Sequence, residues 1–551
     1  MSDRIYRRLL AGTLVPALLL ASLLLAGCEA TGPTTRLDAD DERLPEEWGV
    51  VAVQVVSNTY RLAPMLWNWS AILAVDLEDT EIQHALERSG SGLDRSSVFV
   101  GALPPGEYRF FGLYAIQRYP DATYSLSAPV PLSLGSFRVD NDRITNLGTL
   151  VYQPLGESLP SSAEIEDQPY LVVRFNDDED LRPFVAEAFP ERYDALDHSA
   201  YLGWLGEPVN GVSEDVATSF RAMAVPSNFV PVEGGVAAPA RMGQVFYRSN
   251  GSDDWVRSDT GETVQMLDVT RTTNGWLASG ERGVLVEAAT LDGPWRRVEG
   301  PSLQKALIWI HETADGTRYA LGRGGDPWVN LYRQTPGGDW ASIRSYTRTT
   351  PSAVVRDADT LLVFHDKSRH TFDMKTGDLV ETATMKGKRP DYGIFKQPDG
   401  TLVTSPSFGV ISSPRSDFSR DWGNDWTRTR HAGSEETRTG GMSDVSVILS
   451  DGSELAVVRR GHIDPYSKRV EYEDVPRLRR LPPDSRDPIW LGEMAPECTR
   501  LEPRLSTDDA IYVSCLDGRL KLSTDGGRTW ELIYIPGETD EVDEVETEGL
   551  I

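Results

Sequence analysis

Polar and apolar positions trade places in short runs along nearly all of this 551-residue chain, and the exception comes first. Residues 9–25 form an uncharged apolar run behind Arg4, Arg7 and Arg8. A secretory signal has this charge and length pattern. The run is short for a membrane-spanning helix, and Pro16 interrupts it. Residues 28–45 are polar, rich in Asp, Thr and Gly, and read as a flexible tether. From Trp48 the alternation predicts strands at 50–56, 71–75, 97–100, 103–110, 136–139 and 144–151. The texture changes over 156–219. A strand is expected at 170–175, then the acidic run Asn176-Asp177-Asp178-Glu179-Asp180, then one helix from 181 to about 196. The acidic run caps that helix or, with its oxygen donors, holds calcium; it lacks the Gly and distal Glu of an EF-hand, which favours capping.

From about Arg221 the pattern repeats. A turn signal between two β-like runs recurs at Gly235, Gly275, Gly316, Ala358, Gly400, Gly452 and Asp509, at intervals of 40, 41, 42, 42, 52 and 57 residues. A further strand in most repeats ends near a tryptophan: Trp255, Trp295, Trp340, Trp422 and Trp530. Several short strands every 40 to 45 residues are the mark of a β-propeller, and seven repeats predict seven blades with insertions late in the ring. The expected fold is therefore all-β. It comprises a signal at 1–27, a tether at 28–45 and a small β-sandwich at 46–155. A connecting segment at 156–219 with one helix leads to a seven-bladed propeller at 220–537, and an acidic tail occupies 538–551.

Composition narrows the function. The net charge of −29 becomes more negative once the basic signal is gone, which disfavours nucleic acid as a partner. Besides Cys28 the chain has Cys498 and Cys515, flanking a turn-like Thr507-Asp508-Asp509. A hairpin would set them opposite each other as a disulfide, suited to an exported protein; the alternative is two buried thiols. Neither has a CxxC neighbour or a histidine cluster nearby, so zinc is not expected.

Three segments resemble known families. Leu25-Ala26-Gly27-Cys28 resembles the lipobox of bacterial lipoproteins, which implies acylation of Cys28 and a membrane partner reached through lipid. Glu29 stands where aspartate is associated with inner-membrane retention in enteric bacteria, so the outer membrane is expected. The Pro104-Pro105-Gly106 turn feeding an aromatic strand, with Thr145-Asn146-Leu147-Gly148-Thr149, resembles prealbumin-like sandwiches, which serve as spacers or binding units. Ser523-Thr524-Asp525-Gly526-Gly527-Arg528-Thr529-Trp530 matches the Asp box of sialidase-like propellers. In that motif Asp525 bonds back to the turn amides, Gly527 takes positive φ and Trp530 packs on the blade. Worn copies stand at 249–255, 290–295 and 334–340. The Asp box is a hairpin staple remote from sialidase active sites, so this resemblance speaks to fold.

No catalytic residues, metal ligands or cofactor motif can be named. The chain holds neither a P-loop nor a Gly-x-Ser-x-Gly elbow, and the Phe/Tyr-Arg-Ile-Pro opening of sialidases is missing from the repeats. Tyr60-Arg61-Leu62-Ala63-Pro64 resembles it faintly, but in the sandwich. His365 and His370 flank a turn, where solvent exposure is expected; His311 either lines the central channel or is a satisfied inner-strand histidine. Basic residues gather in stretches expected to link the blades: Arg344 and Arg348; Lys386, Lys388 and Arg389; Arg428 and Arg430; Arg477, Arg479 and Arg480. Lys386, Lys388, Arg389, Arg428 and Arg430 form the candidate ligand face, suited to a protein or to an anionic glycan or lipid. Local pairing with the 84 acids is the competing reading. The functional expectation is a membrane-anchored, non-catalytic binding or scaffold protein; the alternative is a sialidase-like glycoside hydrolase or lyase.

Overall fold

A computed structural model describes residues 35–37 and most of the chain between 45 and 534. Beyond the two ends, the longest stretches left out are 59–68, 155–169, 207–213, 386–392, 405–415 and 429–436. Cys28, Tyr60, Arg61 and the acidic tail therefore lie outside the described residues.

Ten strands make the N-terminal domain: β1 (Gly49–Ser57), β2 (Ala71–Asp76), β3 (Gln83–Ser89), β4 (Ser96–Leu103), β5 (Gly106–Arg118), β6 (Thr123–Pro129), β7 (Ser136–Val139), β8 (Ile144–Pro154), β9 (Tyr170–Asn176) and β10 (Trp204–Leu205). They run β10-β7-β5-β2-β3-β4-β1-β8-β9, with β6 on β5. The two layers of the expected sandwich are thus one curled sheet, continuous through β3, which pairs with both β2 and β4. Alternate positions such as Val51, Val53, Val55, Ile72, Leu86 and Phe110 fill a single core. The sheet does not stop at 155, because β9 pairs with β8 and Trp204 pairs with Phe137. Thr35 is tied down too: its carbonyl accepts from Ala102 N–H at 2.9 Å.

The single helix expected from 181 to about 196 is two, α1 (Arg182–Ala188) and α2 (Pro190–Asp194). Pro190 breaks it, driving Phe189 out of the helical region to φ −137°, ψ 60°. A third, α3 (Glu214–Ala222), leads into the propeller. Among the described residues, no helix is long and apolar enough to cross a membrane.

Seven antiparallel sheets follow, spanning 230–259, 266–298, 306–347, 352–384, 394–428, 437–493 and 500–534, and they are the seven blades. Each turn position read from the sequence falls at the hairpin between the two innermost strands of a blade, as at Val232↔Gly235 and Thr272↔Gly275. The late insertions fall in blade 5, where 12 residues separate the second and third strands, and in blade 6. Its second strand (Glu454–Ile463) outruns the blade and pairs there with Thr437–Gly441 and Val470–Tyr472.

The ring closes by side chains. Trp255 of blade 1 donates its indole N–H to Ile533 O of blade 7, and Tyr534 packs on Phe229, Phe246 and Trp255. Cys498 and Cys515 form a disulfide across the inner hairpin of blade 7.

Candidate binding site

Strand direction sorts the loops onto two faces. The turns between second and third strands, and the links between blades, share one face; the hairpins before the second and fourth strands share the other. The N-terminal domain sits on the first face at blades 1 and 2. Gln265 N–H donates to Ser96 Oγ at 3.1 Å, and Glu187 accepts from Leu303 N–H at 2.8 Å and from Ser302. Arg282, at the tip of blade 2 with φ +56°, reaches Glu179 at 2.8 Å and also bonds Gln54; its side chain is 5% exposed. Apolar side chains from both domains form one cluster, with Val56, Val151 and Phe220 against Phe229, Ala238 and Leu520. Glu179 of the acidic run thus holds the domains together, while Asp180 accepts from Arg182 N–H at 3.0 Å just before α1, whose N-cap residue Leu181 makes no side-chain cap. Asp177 and Asp178 lie outside the described residues.

The opposite face carries the mouth of the central channel, a cavity of about 330 Å³. Its wall is made by the innermost strands near their hairpin ends, because there the strands converge on the ring axis. That wall is mixed, and its apolar part includes Val230, Val232, Val269, Ile310, Val354 and Ile394. Arg271, Lys396 and Arg504 bring positive charge to it, Glu233 and Asp268 negative charge. Asp268 is buried, and its Oδ2 accepts the Ile310 N–H at 3.1 Å, joining blade 2 to blade 3. Burial pushes its carboxyl up to about 6, against the pull of the Arg504 charge. Glu233 is exposed and lies 3.8 Å from Arg271. Lys396 donates to Val355 O at 3.2 Å and stands over the Trp422 ring; Arg504 stands over Phe395.

His311 lines this channel, stacked on Trp309 at 17° between planes. Its imidazole makes no hydrogen bond among the described residues, and burial lowers its pKa. The other histidines named from sequence are not solvent-exposed as expected. His370 is buried and His365 half-buried, both pack on Tyr346, and they bond Thr382 and Thr347.

Of the candidate ligand face, Arg428 is described, and it pairs with Asp417 at 3.0 Å. Lys386, Lys388, Arg389 and Arg430 lie outside the described residues, as does Arg348. Two further groups of basic residues are not in blade links. Arg344 belongs to the outer strand of blade 3 (Trp340–Thr347). Arg477, Arg479 and Arg480 belong to the third strand of blade 6 (Arg477–Leu481), paired with Glu493, Glu454 and Asp451. The Arg479–Glu454 pair is fully buried, at 2.7 Å.

In the Asp box Asp525 makes bonds to the turn amides, and Ser523 adds one that the sequence reading did not name. Ser523 Oγ accepts from Gly527 N–H at 2.7 Å, and Asp525 accepts from Arg528 and Thr529 N–H and from Thr529 Oγ1, which hold its carboxyl far below the usual range. Trp530 is half-buried against the cluster between blades 6 and 7. Blade 5 holds a second copy that the sequence reading missed, at 419–426. Ser419 accepts from Gly423 N–H at 2.8 Å, Asp421 from Asp425 N–H at 3.0 Å, and Trp426 follows. The tryptophan preceding the outer strand of blade 5 is therefore Trp426, and Trp422 is a turn residue with φ +62°. The signal was present as Ser-x-Asp-x-Gly at the same spacing. The channel cations were missed because Arg271, Lys396 and Arg504, one from each of three separate blades, make no cluster in sequence.

Neither a protein-family model nor a curated protein matches the chain. Among solved structures it is similar to the WD40 β-propeller domain of Doa1, at 13% identity and TM-score 0.34, over 55% of this chain and 95% of that one. It is also similar to BamB from Moraxella catarrhalis, at 13% identity and TM-score 0.32, over 55% and 96%. YCF48 bound to D1 peptide gives 14% identity and TM-score 0.31, over 50% and 83%. At such identities the likeness is one of fold.

Proposed function

We propose that this chain is a non-catalytic binding scaffold, held at the outer membrane by lipid on Cys28, that presents the channel face of its propeller to a protein partner. The observation that carries this reading is the occupancy of the faces. One face is taken by the N-terminal domain through a shared apolar cluster and the buried Arg282–Glu179 pair, and the channel mouth opens on the other. Anchoring fits the same arrangement. Thr35 is bonded to β4, so six residues separate Cys28 from the folded body, a reach of at most about 25 Å. The N-terminal domain is then nearest the bilayer.

A sialidase-like hydrolase draws less support. Its chemistry asks for three arginines on a carboxylate and a Tyr-Glu nucleophile pair. The described channel wall offers Arg271 and Arg504 with Lys396, and no tyrosine. Asp268 is engaged with the Ile310 amide rather than facing a substrate as a free acid.

The test has two parts. Cys28→Ser should release the protein from the membrane fraction, and unchanged attachment would remove the lipid anchor from the reading. A photo-crosslinking amino acid at Asp315 or Thr376, on the hairpin face, should give one discrete adduct, absent when it is placed at Lys367 on the other face. Adducts from Lys367 alone would overturn the assignment of faces.

A further inference from the structure

The channel mouth carries three cations, Arg271, Lys396 and Arg504, against two carboxylates, Glu233 and Asp268. Arg504 has no carboxylate within ion-pair distance among the described residues and rests on the Phe395 ring. Lys396 bonds a backbone carbonyl, and Arg271 meets Glu233 only at 3.8 Å, where both side chains are more than half exposed. These three come from blades 7, 5 and 2, so they surround the opening rather than line one side of it. Beneath them lie valines and isoleucines, with the Trp309–His311 stack on one wall. An occupant that matches this order has an anionic end at the rim and apolar atoms below or beside it.

We propose, building on the docking role assigned to this face, that the channel mouth is a receptor for a carboxylate carried on an apolar peptide segment. Two guanidinium forks and an ammonium suit a planar carboxylate. The volume of about 330 Å³ is that of a small-ligand pocket, enough for one or two residues. The side chains of Val230, Val232, Val269, Val354 and Ile394 supply apolar surface for the rest of the segment. The carboxylate is that of a chain terminus or of an acidic side chain among apolar neighbours, and the probes below separate the two.

The experiment measures anisotropy of a fluorescein-labelled hexapeptide of alanine, valine and leucine against the folded protein. Three forms are compared: free C-terminal acid, C-terminal amide, and amide with one internal glutamate. At least one acidic form should bind ten-fold or more tighter than the plain amide, and which one does so identifies the source of the carboxylate. The combined variant Arg271→Gln, Lys396→Gln, Arg504→Gln should lose that preference. Lys375→Gln should keep it, since Lys375 is a cation of the same face already paired with Asp359 at 2.8 Å. Circular dichroism and the thermal midpoint check that the triple variant is folded; if it is not, Arg504→Gln alone is read, with a loss of three-fold or more expected.

Equal binding of acid and amide would overturn the proposal. So would displacement of the peptide by inorganic phosphate or glucuronate at concentrations where acetate has no effect. Crosslinks from Asp315 without carboxylate dependence would overturn the receptor and leave the docking face standing. Carboxylate-dependent binding with adducts from Lys367 alone would do the reverse.

Discussion

Arg282 and Arg504 are both arginines brought near the ends of propeller strands, one on each face, and they are treated in opposite ways. On the face toward the N-terminal domain, the Arg282 guanidinium is buried and meets Glu179 and Gln54. On the channel face, Arg504 lines a cavity, its charge acts on the buried Asp268, and its guanidinium stands over an aromatic ring. A buried charge that is paired holds parts together; one left beside a cavity is available to a ligand. The two faces therefore separate assembly from recognition within one ring. Everything that fixes the N-terminal domain lies on one side, and the staples that stiffen the hairpins lie on the other, around the mouth.

The sharpest way to break this contrast is at Arg282. Replacing it with alanine leaves Glu179 and Gln54 facing a cavity in a buried interface. Removing one member of such a pair should cost about 3–5 kcal/mol. Calorimetry should show one cooperative transition in the parent and two in Arg282→Ala, as the curled sheet and the ring lose their mutual support. A single, unshifted transition would mean that the apolar cluster holds the domains without the ion pair.

How far the sequence foretold these faces depends on how local each signal is. The seven blades were legible because each inner hairpin carries its own turn chemistry, as at Asp315-Gly316 or Asp399-Gly400, whose aspartates bond the amides of Thr317 and Thr401. The strands β1, β2, β4, β5, β7 and β8 were legible from alternation. β3 was not, because Gln83–Ser89 puts only His84 and Leu86 inward among polar residues. The break between α1 and α2 needed only Pro190 to be weighed. The interface and the channel were illegible for a different reason. Arg282 meets Glu179 across 103 residues, and Asp268, Lys396 and Arg504 meet only once the ring has closed. Basic residues close together in sequence, such as Arg477, Arg479 and Arg480, proved to be spent on local acids.

A smaller effect should separate the faces by pH. Asp268 titrates at about 6 in the folded chain against an ordinary value of 3.8, so the folded state holds its proton where the unfolded state has lost it. Its contribution is most favourable below about pH 4 and is lost as the pH rises to about 6. Two units correspond to about 2–3 kcal/mol. Asn at this position still offers an oxygen to the Ile310 N–H but carries no charge, so Asp268→Asn should gain on the parent by that amount between pH 4 and pH 7.5 in denaturant titrations. Arg504→Gln should move the window to higher pH, because its charge is what restrains the shift. An unchanged difference between parent and Asp268→Asn across this range would mean that the channel floor is wetter than its burial implies.

The smallest expected effects concern how the channel face is stiffened, and they compare blades rather than faces. In blades 5 and 7 the hairpin is stapled within itself. Ser419 and Ser523 each accept a buried glycine N–H, and a Cβ on Gly423 or Gly527 would strike Phe364 or Leu478 of the preceding blade. In blades 1, 2 and 3 the box is worn, and the tryptophan does other work. Trp255, Trp295 and Trp340 donate their indole N–H to Ile533 O, Ser258 Oγ and Glu299 O, each at the outer edge of the preceding blade. Loss of the box has thus been met by a rivet between blades. Ser523→Ala and Ser419→Ala strand a buried amide and should cost about 1–2 kcal/mol each. Trp340→Phe gives up one exposed bond while keeping most of the ring, and should cost about 0.5–1 kcal/mol. Hydrogen exchange distinguishes the two devices. The serine variants should speed exchange at Gly527 or Gly423 and leave the neighbouring blade untouched. Trp340→Phe, combined with Trp295→Phe, should instead speed exchange along the outer strands of blades 1 and 2. If all four variants loosen only their own hairpins, the indoles are not rivets, and packing alone holds blades 1 to 3 in the ring.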